Sequence, residues 1–359
     1  MASTWDVRPA SVSADALRSW DAVNARGAQL PFFESAFLLP LLQHFGRGDE
    51  QVATCRVDGE PVAAALLQPS GFGRYTTFQP SQLPLGAWVA VEGQDSATLA
   101  AALLPRLPGT PLALGLTQLD PRFHPRPAEG PALRTLDYIQ TAWVDVQGSF
   151  DAYWEARGKN LRTNMRKQRS KLEADGVSVQ FEVLSRPEDV PQAIADYGRL
   201  ETAGWKAGEG TAVHPDNAQG RFYTEMLQNF CAAGRGQVWR LTFGDKVVAM
   251  DLCIESGGTI VVLKTAYDPE YRTVSPAFLL KQDAFRRVFD EGRIRRIEFY
   301  GKLMEWHTRW TDNARMLYHA NVYRWGWVPR ARDLVRRVAA REEQPPRHGD
   351  GGLTTGSKV

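Results

Sequence analysis

Apolar and polar positions change period several times along the second half of the chain, and each change marks an element. Residues 177–184 alternate as a strand. Apolar positions three and four apart then predict helices over 188–203, just after Pro187 and ending before Gly204, and over 217–233, ending before Gly234. Alternation returns in 237–243 and 246–255, joined by Gly244-Asp245 as a hairpin, and in 259–267 after a Ser-Gly-Gly turn. A helix over 276–291 opens on Pro276 and closes before Gly292. Strands over 294–299 and 316–325 enclose an aromatic-rich segment.

The first half repeats this order less distinctly, with a strand at 5–8, helices at 14–25 and 34–45, and a hairpin of 51–57 and 61–67 about Asp58-Gly59. The two hairpins can be laid beside each other, residues 55–64 against 240–249, which points to a duplication at the level of the fold. Residues 121–131 are rich in proline and read as a loop or linker, so the expected boundary lies near residue 145. The polar stretch 342–359, rich in Pro and Gly, is expected to be disordered.

Composition narrows the function classes. A chain of 359 residues with 43% hydrophobic residues can support two cores. A formal charge of +2 supplies no global field for nucleic acid or membrane, so any such partner must use a local patch. Residues 1–10 do not read as a secretory leader and no apolar run is long enough to cross a bilayer, so the expectation is a cytoplasmic protein. Cys55, Cys231 and Cys253 read as buried free thiols, and no ligand spacing suggests a metal.

Two segments carry candidate chemistry. Residues 158–175 form an amphipathic basic helix, with Leu161, Met165 and Leu172 on one side and Lys159, Arg162, Arg166, Lys167, Arg169 and Lys171 elsewhere. It is either a solvated face or an attractor of an anionic partner such as a polyphosphate cofactor, an anionic carrier or RNA. The run from Tyr267 to Phe278 leads from a strand into a helix start, where free backbone amides and the helix dipole favour an anion. Arg272 adds charge, and small Ser275 and Ala277 permit close approach; an ordinary capped helix is the alternative. The matching place in the first half, 91–97, carries Glu92 and Asp95 instead and should repel phosphate.

These features together with Lys159-Asn160-Leu161-Arg162-Thr163-Asn164, Glu201 with Gly204-Trp205-Lys206, Ala266-Tyr267-Asp268 and Glu298-Phe299-Tyr300-Gly301 resemble the GNAT superfamily. The likeness is to the CelD-like and BioF-like acetyltransferase branch, itself similar to the Fem peptidyltransferases, over roughly residues 150–325. It implies an α/β (α+β) fold of tandem GNAT-like domains, each a mixed, mostly antiparallel central sheet flanked by helices. Their expected limits are 1–145 for a degenerate domain and 146–330 for the acyltransferase domain with its basic helix, followed by a C-terminal helix and tail over 331–359. The resemblance also implies an acyl-CoA co-substrate, no metal, and direct attack by an acceptor amine or hydroxyl on the thioester. The cofactor would be held by Tyr267, Arg272, Thr273, Ser275, Pro276, Ala277 and Phe278, with its pyrophosphate at the helix start from Arg272 to Phe278. The sequence departs from the branch at Ala277, where Gly is usual, at Glu298, where Asp is usual, and at Glu305-Trp306-His307, where a Tyr-Lys pair is common.

Acyl transfer needs a proton acceptor, oxyanion donors and a proton source for the thiolate. Glu298 and His307 are the candidate bases. Asp251 interrupts an apolar strand and must be paired or useful, which makes it a further catalytic candidate, with Lys264 on the adjacent strand as its candidate partner if the pair is structural. Tyr267 and Tyr300 are candidate thiolate protonators, while Glu201, Trp205, Lys206 and Lys264 are candidates for binding a small-molecule or carrier-linked acceptor. The expected function is an acyl-CoA-dependent N- or O-acyltransferase. Its alternatives are a Fem-like transferase that draws on aminoacyl-tRNA, with tRNA as partner, and a non-catalytic binding protein.

Overall fold

The computed structural model describes residues 3–10, 14–203 and 212–331. The first part of the chain forms β1 (Ser3–Pro9), α1 (Ala14–Arg26), α2 (Ser35–Phe45), β2 (Gln51–Val57), β3 (Glu60–Pro69), β4 (Arg74–Thr77), β5 (Trp88–Ala90), α3 (Ser96–Leu103), β6 (Ala113–Leu119) and β7 (Leu133–Asp145). There follow α4 (Phe150–Glu155), α5 (Lys159–Ala174), β8 (Val179–Leu184), α6 (Val190–Ala203), α7 (Ala218–Ala232), β9 (Gly236–Phe243), β10 (Lys246–Ser256) and β11 (Thr259–Tyr267). The chain then forms α8 (Pro276–Glu291), β12 (Arg296–Glu298), α9 (Glu305–Thr308) and β13 (Ala314–Tyr323).

Among the described residues, thirteen strands belong to one sheet, in the order β1-β2-β3-β4-β6-β13-β7-β12-β11-β10-β9-β8, with β5 beside β3. This overturns the expected pair of tandem domains with a sheet each. β13, late in the sequence, sits between β6 and β7, and the long β7 pairs with β13 along its first part and with β12 at its end. A strand shared in this way leaves neither half with a free edge to blunt where they meet.

The cores run across the two halves as well. On one face α1, α2, α6 and α7 bury Trp20, Phe37, Ile194 and Phe222 in a single cluster. Phe37 and Phe222 meet edge to face at 5.2 Å, and Arg235 pairs with Glu34 at 2.6 Å. The other face holds one cluster under α5 and α8, built on Met165, Leu279 and Phe285, and another under α3, built on Leu99, Leu103 and Tyr318. Residues 121–131 contain no helix or strand, as expected of a loop, and most of them are exposed, whereas His124 within them and Asp120 just before them are buried. Among the described residues no helix is long and apolar enough to cross a membrane.

Candidate active site

β11 and β12 run parallel and pair only from Thr259 opposite Arg296 to Val261 opposite Glu298. β11 then continues to Tyr267, while the chain after β12 turns along β7, with the Phe299 amide donating to Ala142 and the Leu303 amide to Gln140. The two strands therefore part after the Val261 and Glu298 rung. On the other side of β11 a register shift at Leu252 and Cys253 skips Leu263, so the strand is irregular close to where it opens.

Beside the last residues of β11 and the start of α8 lies a cleft of about 430 Å³ lined by Thr265, Tyr267, Arg272, Ser275, Pro276, Ala277, Phe278, Lys281 and Trp306. The structure thus brings together every residue expected at the anion-binding helix start except Thr273, which is exposed in the preceding turn. Asp268 starts that turn by accepting the Glu270 amide at 2.9 Å, and the turn ends at Ser275 in a left-handed conformation, φ 49°. Such a φ is strained for a residue with a side chain. No side chain caps α8; the Ser275 hydroxyl instead accepts from Gln168 of α5 at 3.2 Å. Arg272 is exposed and, among the described residues, pairs with no carboxylate. An uncapped helix start beside an unpaired guanidinium offers donors to an anion, and these residues fit the pyrophosphate of a CoA co-substrate.

The cleft is closed from beneath by a buried pair, and its members differ from those expected. Asp251 binds Lys281, whose ammonium donates to both carboxylate oxygens at 3.2 and 3.0 Å and to the Thr265 hydroxyl at 3.1 Å. Lys264, the expected partner, lies on the opposite face. Asp251 is aligned with Thr265 and Leu252 with Lys264, and a shift of one residue reverses the direction of a side chain. Lys264 instead binds Glu201 at 2.9 Å, with the Tyr197 and Tyr223 rings 5.8 and 5.5 Å away, so two of the candidate acceptor residues do meet on the α6 and α7 side. Trp205 and Lys206 lie outside the described residues.

Glu298 and Tyr300 also point to the α6 and α7 side, opposite the cleft, since the intervening Phe299 belongs to the core under α8. Arg315 donates to Glu298 at 2.9 Å and to Asp120 at 2.6 to 2.9 Å, between the Trp143 and Tyr300 rings. Tyr300, itself at φ 51°, donates to Asp120 at 3.2 Å. Arg122 and Arg296 stand 3.6 and 3.8 Å from Glu298 Oε1 without bonding it, and that buried oxygen has no hydrogen-bond partner; neither has Arg315 Nη1. Burial pushes the Glu298 carboxyl up from 4.5 to about 7, against the opposing pull of Arg315. Asp120 and Arg315 have no local signal in the sequence, being 195 residues apart. His307 is buried and engaged by its own loop. Its Nδ1 accepts the Met304 amide at 2.9 Å, its ring stacks on Trp306, and burial lowers its pKa to about 4.

The basic helix α5 packs Leu161, Met165 and Leu172 against the α8 side of the sheet. Arg169 binds Gln282 and Asp283 of α8, and Arg162 binds Glu155. Lys159, Arg166 and Lys167 are exposed and, among the described residues, have no ion-pair partner.

Residues 159–310 match a family model described as an acetyltransferase (GNAT) domain. Among solved structures, the C-terminal domain of a putative lysylphosphatidylglycerol synthetase from Agrobacterium fabrum is similar at 14% identity and TM-score 0.55, over 91% of this chain and 96% of that one. FemX is similar at 8% identity and TM-score 0.55, over 93% and 100%. A conserved protein of unknown function from Bacteroides thetaiotaomicron VPI-5482 is similar at 12% identity and TM-score 0.54, over 86% and 97%. No curated protein matches the sequence. The chain therefore has a GNAT acetyltransferase-like fold.

Proposed function

We infer that this protein transfers an acyl group directly from a CoA thioester in the cleft beside α8 to an amine or hydroxyl approaching from the α6 and α7 side. The observation that carries this reading is the parting of β11 and β12 after the Val261 and Glu298 rung, with the cleft along the part of β11 beyond that rung. Arg272 and the start of α8 would hold the pyrophosphate, and Tyr267, Phe278 and Trp306 the less polar part of the donor. Lys281, fixed by Asp251 and Thr265, presents a positive charge to the cleft floor. Glu298 takes the acceptor's proton: a carboxyl at about 7 is half ionised near neutrality, and its Oε1 has no competing bond. Asp251 is left out of this role because Lys281 occupies both its oxygens.

Calorimetric titration with acetyl-CoA and CoA tests the donor site. Arg272→Glu reverses a charge on an exposed side chain, so the fold should persist while affinity falls about tenfold to a hundredfold. Equal affinity in wild type and variant would remove the cleft from consideration. A second reading, an aminoacyl-tRNA donor, draws support from the exposed Lys159, Arg166 and Lys167. It predicts tRNA binding that weakens steeply with salt, in a protein that does not bind CoA.

A further inference from the structure

The exposed aromatic residues Phe72, Trp325 and Trp327 gather where the start of β4 and the end of β13 come together. Arg74 of β4 pairs with Ala113 of β6, and Ala113 pairs with Tyr323 of β13, so the start of β4 and the end of β13 lie two strands apart. Backbone bonds continue the row outward, from Leu112 to Gly73 at 2.6 Å and from Arg324 to Leu112 at 2.9 Å. Phe72 stands on the tip between Gly71 and Gly73, both at positive φ, and is 96% exposed. Trp325 and Trp327 stack 5.7 Å apart and are 43% and 58% exposed. None of the three lines the α8 cleft.

Their surroundings are basic. Arg324 lies 5.2 Å over the Trp325 ring, and among the described residues neither Arg324 nor Arg330 pairs with a carboxylate. The acidic side chains of the neighbouring strand and loop are already engaged, Glu129 by Thr135 and Asp137 by Arg126. In the short helical turn that follows, Pro329 is buried while Trp327 and Ala331 face solvent.

We propose that this end of the sheet docks on an anionic phospholipid surface, with Phe72, Trp325 and Trp327 entering the interface and Arg324 and Arg330 facing the headgroups. Indole rings settle at the headgroup level, and flanking arginines add attraction to anionic lipid. A protruding loop tip and a stacked pair offer no groove to a peptide, and excess positive charge opposes docking of a second copy of the same surface. The net charge of +2 makes this local patch the relevant feature.

Sedimentation of the full chain with vesicles tests the proposal independently of acyl transfer. The wild type should sediment with phosphatidylglycerol vesicles and stay in solution with phosphatidylcholine alone. The combined Phe72→Ser, Trp325→Ser and Trp327→Ser variant should partition at least about tenfold less, and Arg324→Glu with Arg330→Glu should lose the preference for anionic lipid. Vesicles with brominated acyl chains should quench wild-type fluorescence more than that of a Trp325→Phe, Trp327→Phe variant that still sediments. The proposal is overturned by a wild type that ignores phosphatidylglycerol, by a triple variant that sediments as before, or by quenching that survives both tryptophan replacements. A wild-type dimer that the triple variant dissociates and that ignores vesicles would assign the patch to a second copy instead.

Discussion

Two buried charge clusters flank the sheet, and they differ in what they leave over. On the α8 side, the Lys281 ammonium directs its donors to Asp251 and Thr265, and both Asp251 oxygens are taken. On the α6 and α7 side, two carboxylates share Arg315, yet Glu298 Oε1 and Arg315 Nη1 remain without partners although they are buried. A buried polar atom costs free energy unless it is bonded, so a closed cluster answers to structure and an open one to a ligand or water. Burial does not show this difference, since Asp251 and Glu298 are both fully buried.

Breaking the closed cluster should have the largest effect on stability. Lys281→Met would leave Asp251 charged and unpaired beneath α8, at a cost of about 3 to 5 kcal/mol. Urea denaturation measures it directly. Adding Asp251→Leu should recover most of the loss, because the destabilisation comes from the residual charge rather than from the missing contact. A single variant within about 1 kcal/mol of wild type would show that the pair is not closed to water.

Glu298→Gln should act on rate rather than on folding. It keeps the shape and removes the proton acceptor, lowering kcat/KM for transfer by about 10² to 10⁴. The wild-type rate should rise with pH through about 7 as Glu298 ionises. Stability should run the other way. The folded carboxyl keeps its proton up to about 7, whereas an unfolded glutamate releases it near 4.5; the contribution is complete below 4.5 and is lost as pH rises through 7. A plot of Tm against pH should therefore slope down between those values in wild type and flatten in Glu298→Gln. Parallel slopes would mean that another group titrates there.

The same contrast explains what is legible in the sequence. The limits of β11 and α8 follow from the sequence to the residue, because Pro276 and Gly292 punctuate a regular period. Asp251 is visible as an acid in an apolar strand, and Lys281 carries the matching sign, a lysine on the buried stripe of Leu280, Ala284 and Phe285. Pairing the two needs the strand register, which sequence spacing does not contain. The open cluster is half visible: Glu298 and Tyr300 stand out, whereas Asp120 and Arg315 are joined only by the insertion of β13 beside β6. That insertion also merges two expected sheets into one. β4 and β5, of four and three residues, are too short to show a period.

The smallest effect comes from the two helix starts, where the contrast recurs in backbone amides. Asp95 closes α3 by accepting from the Ala97 and Thr98 amides, both at 3.1 Å, whereas α8 begins on Ser275 with no side-chain cap and Arg272 nearby. Asp95→Ala should cost about 1 kcal/mol, the usual worth of an N-cap, and shift a denaturation midpoint by a corresponding amount. It should leave CoA affinity unchanged, since opening the amides of α3 supplies no guanidinium and Glu92 remains nearby in sequence to disfavour an anion. If the variant gained a second CoA site in calorimetry, an open helix start alone would suffice to bind the donor, and Arg272 would lose the part assigned to it at α8.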